Sequence, residues 1–397
     1  MNILYLHQYF TTPDQPGGTR SYWNSLELLK HGHKVTVISL GKNNKKRFER
    51  KTVDGIDVIY VRVPYSQTMS IASRLKSFLH FMVFSTYLAM KEKNIDFVIA
   101  TSTPLTIGFP ALVLKKLKKI PYLFEVRDLW PEVPIQMGGL NNKTPIKFAK
   151  WFERTIYKNA SHVIALSPGM EDGVLQENTP KQKVSMIPNM AKIDAFWSRE
   201  PDYSLMKDLN ISQDTFKVIY FGALGKANAI EYILESAALL KENKTIEFLF
   251  IGSGPGTALI EAYNTKEGYN NVRYLGFFNM EKTSEVVNFC DVSLVTFKNL
   301  PILATNSPNK LFDSLSAEKP IIVNSAGWTK DLVENNKCGI FVNPESPQDF
   351  ADKLTLLSQN QENLKVMGKN SRKLAETVYD KTLLCKQFAK VVNKVKI

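Results

Sequence analysis

Cysteine is scarce and scattered in this 397-residue sequence: Cys290, Cys338 and Cys385 are widely spaced and form no C-x-x-C pair. An odd, unclustered set argues for a reducing compartment and against a disulfide framework or a zinc site, and the five histidines are not grouped either. Long hydrophobic runs are missing too. The longest nearly apolar stretch, Phe78 to Met90, is broken by His80, Ser85 and Thr86 and is too short to span a bilayer. The opening MNILYLHQYF lacks the basic, apolar and small-residue zones of a secretory signal, so a cytoplasmic protein is expected. Helix-turn-helix, zinc-finger and single-strand-binding motifs are absent, which makes nucleic acid a poor partner despite a net charge of +13.

Acidic residues are short in one half only. Residues 1–195 hold 27 Lys and Arg against 15 Asp and Glu (+12), whereas 196–397 hold 24 against 23 (+1). An anionic membrane surface and a plain lysine-rich solvated surface both fit that asymmetry. The length exceeds what one core serves, so two domains are expected, with a polar, irregular linker near 190–215.

In the first half, strand Asn2–His7, the Pro/Gly-rich turn Thr11–Gly18, helix Thr19–Lys30 and strand Lys34–Leu40 form a strand, glycine loop, helix, strand unit. Gly17 and Gly18 would let backbone N–H groups approach a ligand at the helix start, beside Thr19 or Arg20, though an empty turn fits equally. Lys42–Lys51 reads as a solvated charged loop and Asp54–Val63 as an exposed strand containing an Asp-Gly turn signal. Ser70–Lys91 reads as a helix whose aromatic centre, Phe78, Phe81, Phe84 and Tyr87, is either core or lipid-facing. Short strands follow at Asp96–Ala100, Pro121–Val126 and His162–Leu166. Ligands of open α/β sheets sit at the carboxyl ends of strands, so Arg127 and Asp128, just after the second of these, are site candidates or a structural ion pair.

The second half repeats the alternation with strands at Phe216–Gly222, Ile246–Ile251, Val272–Leu275, Val292–Phe297, Pro320–Val323 and Gly339–Val342. Its loops carry Gly222-Ala-Leu-Gly-Lys226, the partial dinucleotide fingerprint Gly252-Ser-Gly-Pro-Gly256, and Gly276-Phe277-Phe278, which could frame a flat base. The organising stretch is Thr305 to Pro320. Pro308 and a capping Asn309 predict a helix from about Lys310, with Leu311, Phe312 and Leu315 buried. Its first turn joins amide N–H groups, a dipole end and Lys310, an anion site, while Asp313 lies one turn on. A diphosphate and a ribose would suit that pair, and so would an ordinary i,i+3 ion pair on a surface helix. Two α/β domains with parallel sheets and an interdomain cleft are the expected architecture.

Taken in order, GG-T-R, RDLWPE, SPGM, IPN, FGALGKANAIE, FIGSGP, YLGFF and SPNKLFDSLSAEKPII resemble glycosyltransferase family 4 from Met1 to about Val342. That family is retaining and has two facing Rossmann-like domains, the glycosyltransferase fold B. The resemblance implies an acceptor-binding domain over 1–195, a nucleotide-sugar domain over 196–378, and a terminal helix, about 379–397, returning to the first domain. RDLWPE and PNKLFDSL are most similar to the WbuB-like bacterial surface-polysaccharide branch. This implies transfer of N-acetyl-L-fucosamine from its UDP donor onto an undecaprenyl-diphosphate-linked N-acetylhexosamine, at the anionic inner face of the cytoplasmic membrane, in O-antigen or capsule synthesis.

The resemblance also assigns residues. Asp313 stands where the second carboxylate of the E-x7-E motif holds the ribose, one methylene shorter, and the first falls at Thr305, which leaves the donor sugar to Thr305, Asn306 and nearby amides. Lys310 is preferred over Lys226 for the diphosphate, and Gly18, Gly222, Gly252, Phe277 and Asn309 complete the donor set. Arg127 replaces a common histidine, Asp128 would orient or deprotonate the acceptor hydroxyl, and Met190 replaces a glycine. With no Asp-x-Asp tripeptide, transfer is expected to need neither metal nor cofactor. The alternatives are another UDP- or GDP-sugar donor, a dinucleotide-dependent oxidoreductase favoured only by Gly252-Ser-Gly254, and a non-catalytic membrane-surface protein.

Overall fold

A computed structural model describes residues 1–397 apart from 16, 42–44, 67–68 and 396–397 and the side chain of Ile71. It divides into two compact units: Met1–Pro188 with Thr305–Ser307 and Thr382–Ile397, and Asn189–Ala304 with Pro308–Lys381. The second begins at Asn189 rather than 196 because the segment after Pro188 is tied into it. Ala191 N–H donates to the Tyr379 carbonyl (2.7 Å) and Lys381 N–H to the Ala191 carbonyl (3.0 Å).

The first unit holds β1 (Asn2–Leu6), β2 (Lys34–Leu40), β3 (Phe48–Val53), β4 (Ile56–Val61), β5 (Phe97–Thr101), β6 (Tyr122–Val126), β7 (His162–Ala165) and β8 (Val184–Met186). They form one sheet in the order β3-β4-β2-β1-β5-β6-β7-β8, and β5 and β6 are buried along their whole length. Continuous apolar strands of this kind are covered on both faces, as crossover helices require. Only β3 is antiparallel. Asp54 (φ 49°) and Gly55 (φ 84°) make the tight turn that pairs Val53 with Ile56. Part of the expected charged loop is therefore an edge strand, and β4, expected to be exposed, is largely buried beneath the helix Ile71–Lys91. Of that loop, residues 42–44 lie outside the described residues. The last helix, Lys381–Lys394, packs in the first unit with Phe388 stacked on Tyr5 (ring centroids 6.4 Å).

The second unit holds β9 (Phe216–Phe221), β10 (Ile246–Ile251), β11 (Val272–Gly276), β12 (Val292–Val295), β13 (Ile321–Val323) and β14 (Gly339–Phe341), all parallel, in the order β11-β10-β9-β12-β13-β14. The alternation of β9 supplies two cores: Val218 and Tyr220 join one cluster, Ile219 and Phe221 the other. In both sheets strand order reverses beside the first strand, at β1/β5 and at β9/β12. Doubly wound sheets bind ligands at the carboxyl ends of strands at such a reversal, so chain topology alone singles out two loops: the one after β1 and the one after β9.

The loop after β9 explains the partial dinucleotide fingerprint. Gly252 (φ 145°) lies so close to Gly222 that an added Cβ would sit 1.8 Å from the Gly222 carbonyl oxygen, and at Gly254 (φ 147°) it would meet the Leu224 oxygen at 2.5 Å. These glycines are demanded by two loops packed back to back, without recourse to a dinucleotide. Gly252→Ala is expected to destabilise the protein by about 3 kcal/mol or more, since it combines overpacking with a strained backbone. A urea unfolding midpoint equal to that of the parent would contradict this packing role.

Candidate functional site

The helix Asn309–Ser316 follows from the sequence with one correction: Pro308 is the N-cap and Asn309 the first helical residue. No side chain caps the helix, and Leu311, Phe312 and Leu315 are buried as expected. Burial of that face sets the direction of Lys310, whose stem is also buried. Its Nζ reaches the Tyr220 hydroxyl at 2.5 Å, lies 3.8 Å from the Tyr220 ring centroid and is 3.4 Å from Asn228 Oδ1. The Tyr220 hydroxyl in turn donates to the Ala223 carbonyl (2.7 Å), which also accepts from Asn228 Nδ2 (3.0 Å). The ammonium is thus fixed between the end of β9 and the Gly222 loop, at the reversal point, with Lys310 Cε 3.6 Å from where a Gly222 Cβ would stand.

No carboxylate pairs with Lys310 among the described residues. Desolvation without a counter-charge lowers its pKa from 10.5 to about 7. An arriving polyanion would supply the missing charge and return the lysine to its cationic form. That is the arrangement an anion site needs; the buried ammonium of Lys217, by contrast, is taken up by the Thr215 carbonyl at 2.6 Å and the Gln213 carbonyl at 3.4 Å.

Asp313 does not pair with Lys310. Its carboxylate takes the ammonium of Lys192 at 2.7 Å, and both residues are buried. Burial raises the Asp313 pKa, while the Lys192 charge and hydrogen bond pull it down. The one-turn spacing put the two residues on one helix but could not foresee that they serve different partners. Lys192 was missed by sequence reasoning. Its only signal was position, two residues beyond Met190, in the segment clamped by Tyr379 and Lys381.

The remaining donor candidates are divided between the two units. Lys226 is exposed in the short turn Lys226–Asn228, and Phe277 is exposed after β11. Thr305 closes the turn Pro301–Thr305 and Asn306 follows it, both half-buried, and both cluster with the first unit.

In the first unit, Gly18 precedes the helix Arg20–Lys30, and its carbonyl accepts from Thr11 Oγ1 at 3.1 Å. Gly17 has φ 133°, so the turn does require glycine. Arg20 is not beside this loop as a ligand. It is fully buried, pairs with Glu125 at 2.7 Å and donates to the Ile187 carbonyl at 3.0 Å. Burial alone would raise the Glu125 pKa, but Arg20 and Arg127 hold it below its usual value.

Arg127 and Asp128 do not form a pair with each other. Arg127 Nη1 lies 3.2 Å from His7 Nε2, and Asp128 Oδ2 accepts from Thr103 Oγ1 at 2.7 Å. Because a guanidinium only donates, His7 Nε2 must be the acceptor, and the neutral ring carries its proton on Nδ1. Burial and Arg127 hold the His7 pKa well below 6.5, which fixes that neutral form. Burial raises the Asp128 pKa against the opposing effects of Thr103 and Arg127, which suits a proton acceptor better than a solvated carboxylate. His7 was missed as well, although its place at the carboxyl end of β1 could have marked it. Lys310 therefore belongs to the second unit, and Arg127 and Asp128 to the first.

Among the described residues no cluster of three or more His, Cys, Asp or Glu side chains could hold a metal, and no helix is long and apolar enough to cross a membrane. Residues 17–190 match the family described as Glycosyl transferase 4-like domain, and residues 203–374 match Glycosyl transferases group 1. A relative provisionally described as the colanic acid biosynthesis glycosyl transferase WcaI of Escherichia coli K12 is 23% identical over 387 residues, covering 91% of this chain and 92% of its own. Sucrose-phosphate synthase from Thermosynechococcus elongatus superposes with a TM-score of 0.76 at 16% identity, covering 100% of this chain and 99% of its own. HepE from Anabaena, in complex with UDP-glucose, does so with a TM-score of 0.70 at 17% identity, covering 99% and 100%. The fold is the two-domain α/β glycosyltransferase fold B.

Proposed function

From a glycosyltransferase 4-like domain followed by a group 1 glycosyltransferase domain, we propose a retaining, metal-independent enzyme that moves a sugar from a UDP donor to a lipid-diphosphate-linked N-acetylhexosamine. The observation that carries the reading is Lys310: buried, without an acid partner, and held at the strand reversal by Tyr220 and Asn228. N-acetyl-L-fucosamine is the proposed sugar, on the likeness of RDLWPE and PNKLFDSL to that surface-polysaccharide branch. The alternatives are other UDP- or GDP-sugars. The relation to WcaI favours cell-surface polysaccharide synthesis, and HepE with UDP-glucose favours a uridine donor. The enzyme would work in the cytoplasm, at the inner face of the membrane.

The second unit takes the donor and the first takes the acceptor. Lys310 and the amides at the start of its helix bind the diphosphate, and Asp313 accepts from a ribose hydroxyl in the orientation set by Lys192. As the bond between the sugar carbon and the β-phosphate oxygen breaks, its electron pair leaves with UDP, and Lys310 stabilises the charge that develops there. The acceptor oxygen bonds to the same face of that carbon. Its proton passes to the departing phosphate oxygen or to Asp128. No nucleophilic side chain of the enzyme takes part.

Two measurements bear on this mechanism. Activity is expected to survive excess EDTA, and strict dependence on added magnesium or manganese would contradict it. With a pKa of about 7 in the free enzyme, Lys310 loses its proton as pH rises, so kcat/KM for the donor should fall about tenfold per pH unit above roughly 7. Bound diphosphate restores the charge, so the limb in kcat should lie at higher pH. Coincident limbs at a pH well above that of Lys310 would count against it.

A further inference from the structure

The aromatic centre expected to be either core or lipid-facing is divided: Phe78 and Phe81 are buried, Phe84 is half-buried and Tyr87 is exposed. Tyr87, from the same aromatic centre, is left in the open together with three aliphatic residues. Leu75, Leu79, Val83 and Tyr87 recur every four residues along the outer side of Ile71–Lys91, and Val83 is 58% exposed. Leu117 (69%) is exposed on the helix Gly108–Lys118, and Phe148 (63%) and Trp151 (57%) on Lys143–Asn159. The first of these helices packs against the second and the second against the third, so they form one layer on the first unit. The Phe148 and Trp151 rings touch, with centroids 5.5 Å apart.

Charge on the same layer has one sign. The three helices carry three, three and five Lys or Arg residues, eleven in all, against a single acid, Glu153. Glu153 is buried and accepts from the Tyr157 hydroxyl at 3.0 Å, so it contributes nothing to the outer surface. Of the eleven cations only Lys150, with Glu132, and Arg154, with Glu177, stand in ion pairs among the described residues. Sparse large apolar side chains amid unpaired lysines are what a helix lying in a bilayer interface presents, the rings entering the headgroup boundary and the ammonium groups facing lipid phosphates. A protein partner of ordinary composition would leave most of these cations buried and unpaired.

We propose that this three-helix layer is the face by which the protein docks on an anionic phospholipid surface, with Phe148, Trp151 and the Leu75-to-Tyr87 stripe as the inserting groups. The proposal locates the membrane side of the function given above, but its test needs neither donor nor transfer. The full chain is floated with vesicles of phosphatidylcholine alone or of equimolar phosphatidylcholine and phosphatidylglycerol, at low and high salt. Binding is expected to the anionic vesicles only, weakened by salt. Phe148→Ser with Trp151→Ser should lower it at least tenfold, and Lys115→Gln, Lys116→Gln and Lys147→Gln by roughly fivefold each. Unchanged thermal midpoints would show that the variants fold.

Equal binding to neutral vesicles would overturn the proposal, as would anionic binding that neither set of substitutions reduces. So would a self-association of the chain that these substitutions abolish while vesicle binding persists. Docking without any sugar transfer would count against the transferase reading alone, and transfer to a lipid-free acceptor without docking against this proposal alone.

Discussion

Lys310→Met is expected to lower turnover by about 10³-fold while leaving the protein as stable as the parent, or more so. The catalytic loss follows from withdrawing a preorganised cation from a developing phosphate charge. The stability gain follows from the same burial that makes the lysine useful. Its folded-state pKa, about 7, lies below the unfolded value near 10.5, so the unfolded chain binds more protons between these limits. Stability from this group is therefore lowest below pH 7 and improves as pH rises toward 10.5. Methionine fills much of the same space without a charge to desolvate, and the difference from the parent should be largest in acid. Loss of activity together with loss of folding would mean that Lys310 is structural. Near-normal turnover would remove it from the site.

Lys192→Met is expected to be the more damaging substitution for the fold. It leaves Asp313 buried without its cation, which costs about 3–5 kcal/mol. Burial already raises the Asp313 pKa despite Lys192, and without the lysine it should rise further. An acid whose folded pKa lies above its unfolded one stabilises at low pH and loses that stability as pH rises through the folded value, so the variant should recover on acidification. The double variant Lys192→Met, Asp313→Leu should regain much of the stability at neutral pH, since a matched apolar pair avoids the desolvation altogether. It should not regain donor affinity. A double variant that binds UDP as well as the parent would show that this pair belongs to the fold alone.

Much of the architecture was legible because its elements are strongly patterned. β2 and β10 have the bounds their apolar runs suggested, and the helix over Lys310 began within one residue of expectation. The miss at β3 has a local cause: a charged edge strand looks like a loop until its Asp-Gly turn pairs it with a buried neighbour. The site was legible in part. Lys310 could be put forward as a candidate because a helix start and a glycine loop are both local features of the sequence. The partners of Asp313 and Arg127 could not, because Lys192 and His7 lie more than a hundred residues away and their contacts exist only in the folded chain. Even the fingerprint glycines 252 and 254 were readable as glycines required by the backbone, but not as glycines required by the loop of Gly222 and Leu224.

Sugar transfer from a nucleotide diphosphate is the chemistry proposed for this site. Its most direct test is the mass of the products formed when the purified chain is given a panel of UDP- and GDP-sugars with a short-chain lipid-diphosphate N-acetylhexosamine, in EDTA. The expected result is an acceptor heavier by one sugar residue with stoichiometric release of UDP, strongest with UDP-N-acetyl-L-fucosamine and lost in Lys310→Met. No extended acceptor and no released nucleotide from any donor in the panel, with the parent protein folded, would contradict sugar transfer at this site.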